Sequence, residues 1–344
     1  MFNVFMELLL SNYQPAKFKN RTTQNVWLEN LSKSEQIRIA TGFISSASLI
    51  ELKKIVELNE KPRIEMLIGM HYFDGFTKQQ YDSALALNET LQKQNRGVVY
   101  LSDAVPFHGK LYSFCNTKHC FSAIMGSSNV SSLLSSNKIY EVDCFFENDN
   151  ANTVDKSIQN LFGKLGKPIT NFQIETFIEK NDLLENHYGV KKLSPTEHTQ
   201  IWNTKTDISF DIPMKTESKS NLNVYFGKGR VNQRGFEMPR PWYEVEIIVP
   251  VTITRLPNYP ATRTFDVVTD DGWRFSCKTT GDYGKNLRSS DDLLVLGKWI
   301  KGKLEQKNAL TIGMPVTENV LLNYGKNTMK LSATTNPNVW LIEF

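Results

Sequence analysis

Residues that bind metals or build covalent scaffolds are scarce in this chain: 344 positions hold 4 cysteines and 5 histidines. Cys115, Cys120, Cys144 and Cys277 are irregularly spaced. They form neither a disulfide framework nor a paired CxxC zinc set, which makes a reducing cytoplasm the expected compartment. Cys115, His119 and Cys120 lack a fourth ligand for zinc. No apolar run approaches the roughly 18–20 residues of a membrane helix. Met1–Asn12 carries Glu7 inside its short apolar stretch and has neither a basic start nor a small-residue cleavage site, so no secretory leader is expected. The absence of a repeat of roughly 20–50 residues excludes solenoids and propellers. Charge of one sign is also missing, with 40 Lys+Arg against 36 Asp+Glu.

What is present is ordinary globular material, 40% hydrophobic and 11% aromatic, at a length that allows two cores. The charge is unevenly placed. Residues 1–198 hold 21 cations and 21 anions, whereas 199–344 hold 19 and 15. Lys228–Arg240 and Arg274–Arg288 each carry a net +3. Between the halves, Glu185–His198 (ENHYGVKKLSPTEH) has Gly, Pro and charges but no apolar period, and reads as a linker. Three segments follow: 1–180, a linker at 181–198, and 199–344.

In the first half, Ile37–Ser45, Arg63–Met70, Gly97–Ser102, Leu111–Cys115, Ser122–Met125 and Glu141–Glu147 have strand character. Helical patterns cover Ala47–Leu58, Lys78–Gln94, Asn152–Leu165 and Phe172–Asn186. Strands alternating with helices predict a mixed sheet flanked by helices. In the second half, short β-branched or aromatic runs (Val224–Phe226, Trp242–Val251, Thr264–Thr269, Trp273–Lys278, Ala309–Ile312) are divided by Pro, Gly and Asp271-Gly272. One helix is expected at Leu293–Leu304. This pattern predicts a mainly-β barrel or sandwich.

The densest chemistry lies in Phe107–Glu141. His108 and Lys110 are two apart, so an extended strand puts imidazole and ammonium on one face. Gly126-Ser127-Ser128-Asn129 follows an apolar strand and offers hydroxyls, a carboxamide and backbone N–H groups to phosphate oxygens. Glu141 opens the next strand, where a carboxylate could set the imidazole tautomer. Taken singly, each is bland: a strand His or Lys is commonly solvated surface, and GSSN is commonly a turn. Their ordered combination is what points to a site.

That combination resembles the HxK…GSxN…E/D signature of the phospholipase D superfamily of phosphodiesterases, over roughly residues 37–147. The resemblance implies His108 as the nucleophile that forms a phosphohistidine. It implies Lys110 and Asn129 as holders of the nonbridging oxygens, Ser127 as a supporting oxyanion contact, and Glu141 as the residue that orients His108. Cys115 stands where the common pattern has Asp. The mechanism uses two imidazoles, and only His108 has a Lys two positions later. A homodimer sharing one metal-independent site, with no cofactor, is therefore expected.

In the second half, Gly227–Arg240 carries Lys228, Arg230, Asn232, Gln233, Arg234 and Arg240, and Trp273–Arg288 carries Trp273, Arg274, Lys278, Thr279, Asp282, Tyr283, Lys285, Asn286 and Arg288. Arg suits guanine, Asn and Gln suit adenine, and Lys and hydroxyls suit phosphate. This half is similar to the B3-like DNA-binding pseudobarrel, whose two arms enter the major groove. An α/β phospholipase D-like nuclease domain joined to a mainly-β B3-like domain is the architecture of restriction endonucleases of the BfiI and NgoFVII/NgoAVII type. The resemblance implies a site-specific, type II DNA endonuclease acting on double-stranded DNA. A cognate methyltransferase and an ATPase or helicase subunit are partners it implies for such systems. The alternatives are a phospholipase D-type phosphodiesterase on a non-DNA substrate, and a DNA-binding regulator with an inactive nuclease domain.

Overall fold

Apolar residues at helical and alternating spacing separate the chain into two folding units. The structure, a computed structural model, describes residues 6–13, 15–134, 139–179, 183–185 and 187–344. The first unit comprises Met1–Lys180 together with Arg230–Pro239, and the second Asn181–Gly229 with Arg240–Phe344. Arg230–Pro239, expected in the second segment, thus groups with the first.

In the first unit the strands are β1 (Met6–Leu10), β2 (Gln36–Thr41), β3 (Arg63–Ile68), β4 (Gly97–Ser102), β5 (Lys110–Cys115), β6 (Cys120–Gly126), β7 (Val142–Glu147) and β8 (Gly166–Pro168). They form an eight-stranded sheet in the order β1-β7-β6-β5-β2-β3-β4-β8. β2, β3 and β4 run parallel, and the remaining neighbours are antiparallel. Crossovers between the parallel strands are made by α2 (Ser46–Leu58) and by α3 (His71–Asp74) with α4 (Lys78–Lys93). Both long helices start on capping boxes, Ser45 with Ser48 and Thr77 with Gln80. α1 (Thr23–Leu31), α5 (Val130–Leu134) and α6 (Asn148–Leu165) complete the unit.

Neither α1 nor β1 is among the predicted elements, because α1 is short and weakly amphipathic and β1 is an edge strand of five residues. Among the described residues of Phe172–Asn186 the expected helix is not found. Residues 172–179 are irregular, their apolar side chains Phe172, Ile174 and Phe177 packing against the main core; the rest of that stretch lies partly outside the described residues. Apolar spacing alone did not distinguish a helix from a strap laid over a core.

In the second unit the strands are β9 (Lys191–Lys192), β10 (Lys205–Pro213), β13 (Ile247–Ile248), β14 (Thr264–Thr269), β15 (Trp273–Thr280), β16 (Asn286–Ser289), β17 (Thr328–Thr334) and β18 (Val339–Glu343). They form a curled sheet in the order β10-β17-β18-β14-β15-β16-β13, with β9 on β15. The short strands β11 (Arg230–Val231) and β12 (Glu237–Met238) pair only with each other. Helices are α7 (Pro195–Trp202), α8 (Val251–Thr254), α9 (Val295–Gln306) and α10 (Glu318–Tyr324). The Asp271-Gly272 turn is present, with Gly272 at φ +86. The expected linker holds β9 and the start of α7, whose Ser194–Glu197 capping box gives it a defined N-terminus. Residues Asn221–Phe226 form 3-10 turns rather than a strand, and Ala309–Ile312 is not in the sheet.

Candidate active site and nucleic-acid surfaces

At one end of the first sheet, His108 leads into β5 and Lys110 begins it. The chain around His108 is sutured by the Phe107 N–H, which donates to the Gly69 carbonyl at 3.0 Å. A Cβ on Gly69 would stand 2.0 Å from the Phe107 carbonyl oxygen, so only glycine allows this approach. The His108 imidazole is exposed, whereas Lys110 is buried. Lys110 Nζ donates to the His108 carbonyl oxygen at 2.8 Å and lies 3.3 Å from Nε2. Burial pushes the Lys110 ammonium below the ordinary lysine value, and the Glu141 carboxylate offsets part of that shift.

Asn129 joins this group through Thr41, the register partner of Lys110. Its carboxamide oxygen accepts from the Thr41 hydroxyl at 3.3 Å and from the Phe43 N–H at 3.2 Å. The carboxamide's two N–H groups are thereby oriented away from those donors, and the Phe43 ring stands 5.5 Å from that of His108. An imidazole, an ammonium and an amide donor set converge on one sheet end, an arrangement suited to nucleophilic attack on an anionic ester with charge-stabilising donors around it.

Glu141 does not bond His108. Its carboxylate accepts from the Ser127 hydroxyl at 2.5 Å and the Ser132 hydroxyl at 2.9 Å, and Ser127 is exposed. The buried carboxylate beside this loop is Asp143, which was not singled out from the sequence. It accepts from Ser128 N–H at 3.0 Å, Ser128 hydroxyl at 2.6 Å and Thr23 hydroxyl at 2.6 Å. Tyr112 hydroxyl holds the Ser128 carbonyl at 2.6 Å. A Cβ on Gly126 would meet Asp143 Oδ1 at 2.2 Å. The alternation of β7 was a usable signal, since Asp143 is an acidic residue at an inward position.

His71 lies near the site without a reactive orientation. Its Nε2 accepts the Ile44 N–H at 3.1 Å and its Nδ1 faces the Gly75 carbonyl at 3.1 Å. At the opposite end of β5, Cys115 and Cys120 face each other across the β5–β6 hairpin and are joined as a disulfide. Register, invisible in the spacing, brings them together. Cys144 and Cys277 are free. The Asp155 carboxylate of α6 lies against Cys115, held by Arg38 at 2.8 Å and Ser113 at 2.6 Å. His119 lies on the exposed hairpin. Ligand atoms of Cys115, Cys120 and Asp155 lie within 4.8 Å of one another.

The cationic stretches divide sharply. Lys228, Arg230, Asn232, Gln233 and Arg234 are exposed. Asn232 uses its side-chain oxygen on the N–H groups of Arg234 and Phe236, so it shapes the turn. Arg240 forms a two-armed pair with Glu244, which raises its pKa. Arg274 is paired with Asp266 at 2.6 Å, Lys285 with Asp282 at 3.0 Å, and Arg288 with Glu246 at 3.7 Å. The Thr279 hydroxyl is buried on the Pro260 carbonyl. Lys192 lies over the Trp273 ring at 4.5 Å, and Arg255 over the exposed Tyr283 ring at 4.6 Å. Lys278 and Asn286 are half-buried in β15 and β16.

Among the described residues no helix is long and apolar enough to cross a membrane. Residues 21–172 match the family model for the NgoFVII restriction endonuclease N-terminal phospholipase D domain, and residues 200–335 match that for the NgoFVII C-terminal B3-like DNA-binding domain. No curated protein matches. Solved structures include the phospholipase D family member Nuc from Salmonella typhimurium, at 17% identity over 48% of this chain and 98% of that one, TM-score 0.32. NucT from Helicobacter pylori has 13% identity over 47% of this chain and 100% of that one, TM-score 0.33. Phosphatidylserine synthase from Haemophilus influenzae Rd KW20 has 14% identity over 49% of this chain and 41% of that one, TM-score 0.31. These scores are too low to carry a structural correspondence, so the assignment rests on the two consecutive family models. The chain belongs to the NgoFVII-type restriction endonucleases, with a phospholipase D-like nuclease domain followed by a B3-like DNA-binding domain.

Proposed function

We propose that this DNA endonuclease is a type II enzyme that cuts at specific sites by a metal-independent phosphohistidine mechanism, in a site shared by two copies of the chain. The observation that carries the reading is the convergence of His108, Lys110 and Asn129 at one sheet end. A His108 ring nitrogen attacks phosphorus, an N–P bond forms, and the P–O bond to the leaving oxygen breaks. Lys110 and the Asn129 amide hold the nonbridging oxygens as charge grows on them. Ser127 is a further donor, positioned by Glu141. The leaving oxygen takes its proton from the second copy's His108, which then deprotonates the water that cleaves the N–P bond. Glu141 acts here as a positioning residue through Ser127 and Ser132.

A sheet face left exposed among the described residues supports the shared site. Leu8, Cys144 and Met125 stand side by side in register across β1, β7 and β6, with Met6 and Val142 two residues along on the same face. Met6 is 54% and Val142 51% exposed. α6 packs on this sheet over β6, β5 and β2, with Ile158 and Phe162 against Ala40 and Leu67, and leaves Met125, Val142, Leu8 and Met6 exposed. The open strip runs into Ser127 and Glu141, where a second copy would meet the site.

Lys228, Arg230, Gln233 and Arg234 are exposed DNA contacts for the reading, and Trp273, Lys278, Tyr283 and Asn286 are further candidates in the second unit. Double-stranded DNA is the substrate, and a methyltransferase and an ATPase or helicase subunit are the partners proposed for the system. Plasmid DNA incubated in EDTA should be cut by the native chain and left intact by His108→Ala, which should still bind DNA. Acid-labile labelling of the native chain by a radiolabelled phosphodiester, lost in His108→Ala, should accompany cutting. Cleavage that requires added divalent metal, or survives in His108→Ala, overturns the mechanism.

A further inference from the structure

The β11–β12 hairpin has two unlike sides. Its tip is closed by Asn232, with Gly235 at φ +77 completing the turn. On one side Phe236 is buried in the main core of the first unit and Met238 packs against that core. On the other, Arg230, Gln233 and Arg234 are exposed.

Asn59 holds the buried side. Its Nδ2 donates to the Glu237 carbonyl at 2.9 Å, and its Oδ1 accepts the Glu237 N–H at 2.9 Å. A carboxamide here stands in for a neighbouring strand's donor and acceptor. Asn59 is itself fixed as the C-cap of α2: its N–H donates to the Ile55 carbonyl at 3.2 Å, and its carbonyl accepts from Arg96 at 2.5 Å. The Arg96 guanidinium is buried and also ties down the carbonyls of Val56 and Pro62. The seat is therefore rigid. At the other end of α2, Phe43 and Ile44 lead in from the active site. The 13 residues of α2 span about 20 Å, or about six base pairs of B-form DNA.

We propose that this hairpin is a DNA-contacting arm built into the nuclease unit, and that Asn59 is the positioning residue that sets its distance from the cutting site. Arg230, Gln233 and Arg234 grip the duplex from the exposed side, while Asn59 and Phe236 keep the base seated. An arm held this way is a fixed gauge along the duplex, so loosening the seat should blur where the cut falls. The proposal rests on the endonuclease reading.

The test uses the full chain and Asn59→Ala. Hydrogen exchange over residues 230–239 should accelerate about ten- to thirty-fold, since two neutral hydrogen bonds are lost. Sequencing the ends cut from a randomised duplex library should show a wider spread of cut positions than the native chain gives. Arg230→Ala with Arg234→Ala should bind DNA more weakly, with a salt slope shallower by about 2. Unchanged exchange in Asn59→Ala overturns the seat. Faster exchange with an unchanged cut pattern overturns the gauge, and an unchanged salt slope overturns the grip. If the native chain cuts no DNA, the endonuclease reading fails on that result alone, while exchange still reports the seat independently.

Discussion

The His108 cluster and the cationic stretches of the second unit treat charge in opposite ways. Around His108, polar groups are aimed outward: Thr41 and the Phe43 N–H engage only the oxygen of Asn129, and Lys110 is buried beside an exposed imidazole without a bonded carboxylate. In Trp273–Arg288 three of the four cations, Arg274, Lys285 and Arg288, turn inward or sideways, onto Asp266, Asp282 and Glu246. Paired charges stabilise the fold and offer little to a partner. Unpaired charge held at a sheet end is expensive to maintain, and is kept where it is used.

His108→Ala is the severest test of this contrast, with an expected loss in cleavage on the order of 10³ or more. DNA binding measured by gel shift should stay within a few-fold, and matching losses of binding and cutting would erase the distinction between the regions. Next is the buried pair in α9 of the second unit, where burial holds Lys301 down at about 7 and Glu305 up at about 7. Lys301 donates to the Trp242 carbonyl at 2.6 Å, and Glu305 accepts from Trp242 and Tyr243. Lys301→Met should cost about 3–5 kcal/mol in denaturant unfolding by stranding Glu305, and adding Glu305→Gln should restore part of it. No loss in the single variant would mean these charges do not act as a pair.

Arg234→Ala should cost about 1–3 kcal/mol of discrimination between sites if it reads a base, or a uniform loss if it holds phosphate. Arg274→Ala should change binding little and stability by less than about 1 kcal/mol, since its ion pair with Asp266 is partly exposed. Reversal of that order would show that the paired loop, not the exposed one, is the DNA surface. The finest test is pH. Because burial favours the neutral amine, Lys110 should lose its proton at lower pH than an exposed lysine, so cleavage should fall from the alkaline side before the ordinary lysine range. Lys110→Arg, always charged, should lose that alkaline limb if it retains activity.

Much of the nuclease unit was legible because its strands and helices carry local, repeated signals: Arg63–Ile68 and Gly97–Ser102 are apolar runs, and α4 has its capping box and stripe. Phe172–Ile178 has the same apolar content, yet lies as a strap across the core. The strands β10, β17 and β18 were not among those expected although their signals are local: Ile208, Phe210 and Ile212 alternate in β10, Met329, Leu331 and Ala333 alternate in β17, and β18 is an apolar run. In the site, His108, Lys110 and Asn129 were visible from spacing; Asp143 left only the alternation of β7 as a signal, and Thr41 and Asn59 left none. Each of the latter three acts through a partner on another element.

Residue order alone determined which chemical groups this protein can bring to a phosphodiester, because a two-residue spacing keeps His108 and Lys110 within reach of each other even with His108 outside the strand. Only the fold decided that Glu141 bonds Ser127 rather than His108, that Cys115 faces Cys120, that the Arg274, Lys285 and Arg288 charges are paired, and that a hairpin from the second half seats on α2. Those outcomes depend on register and on contacts between residues far apart in sequence, where hydrogen bonding and burial choose among partners that local pattern leaves equal.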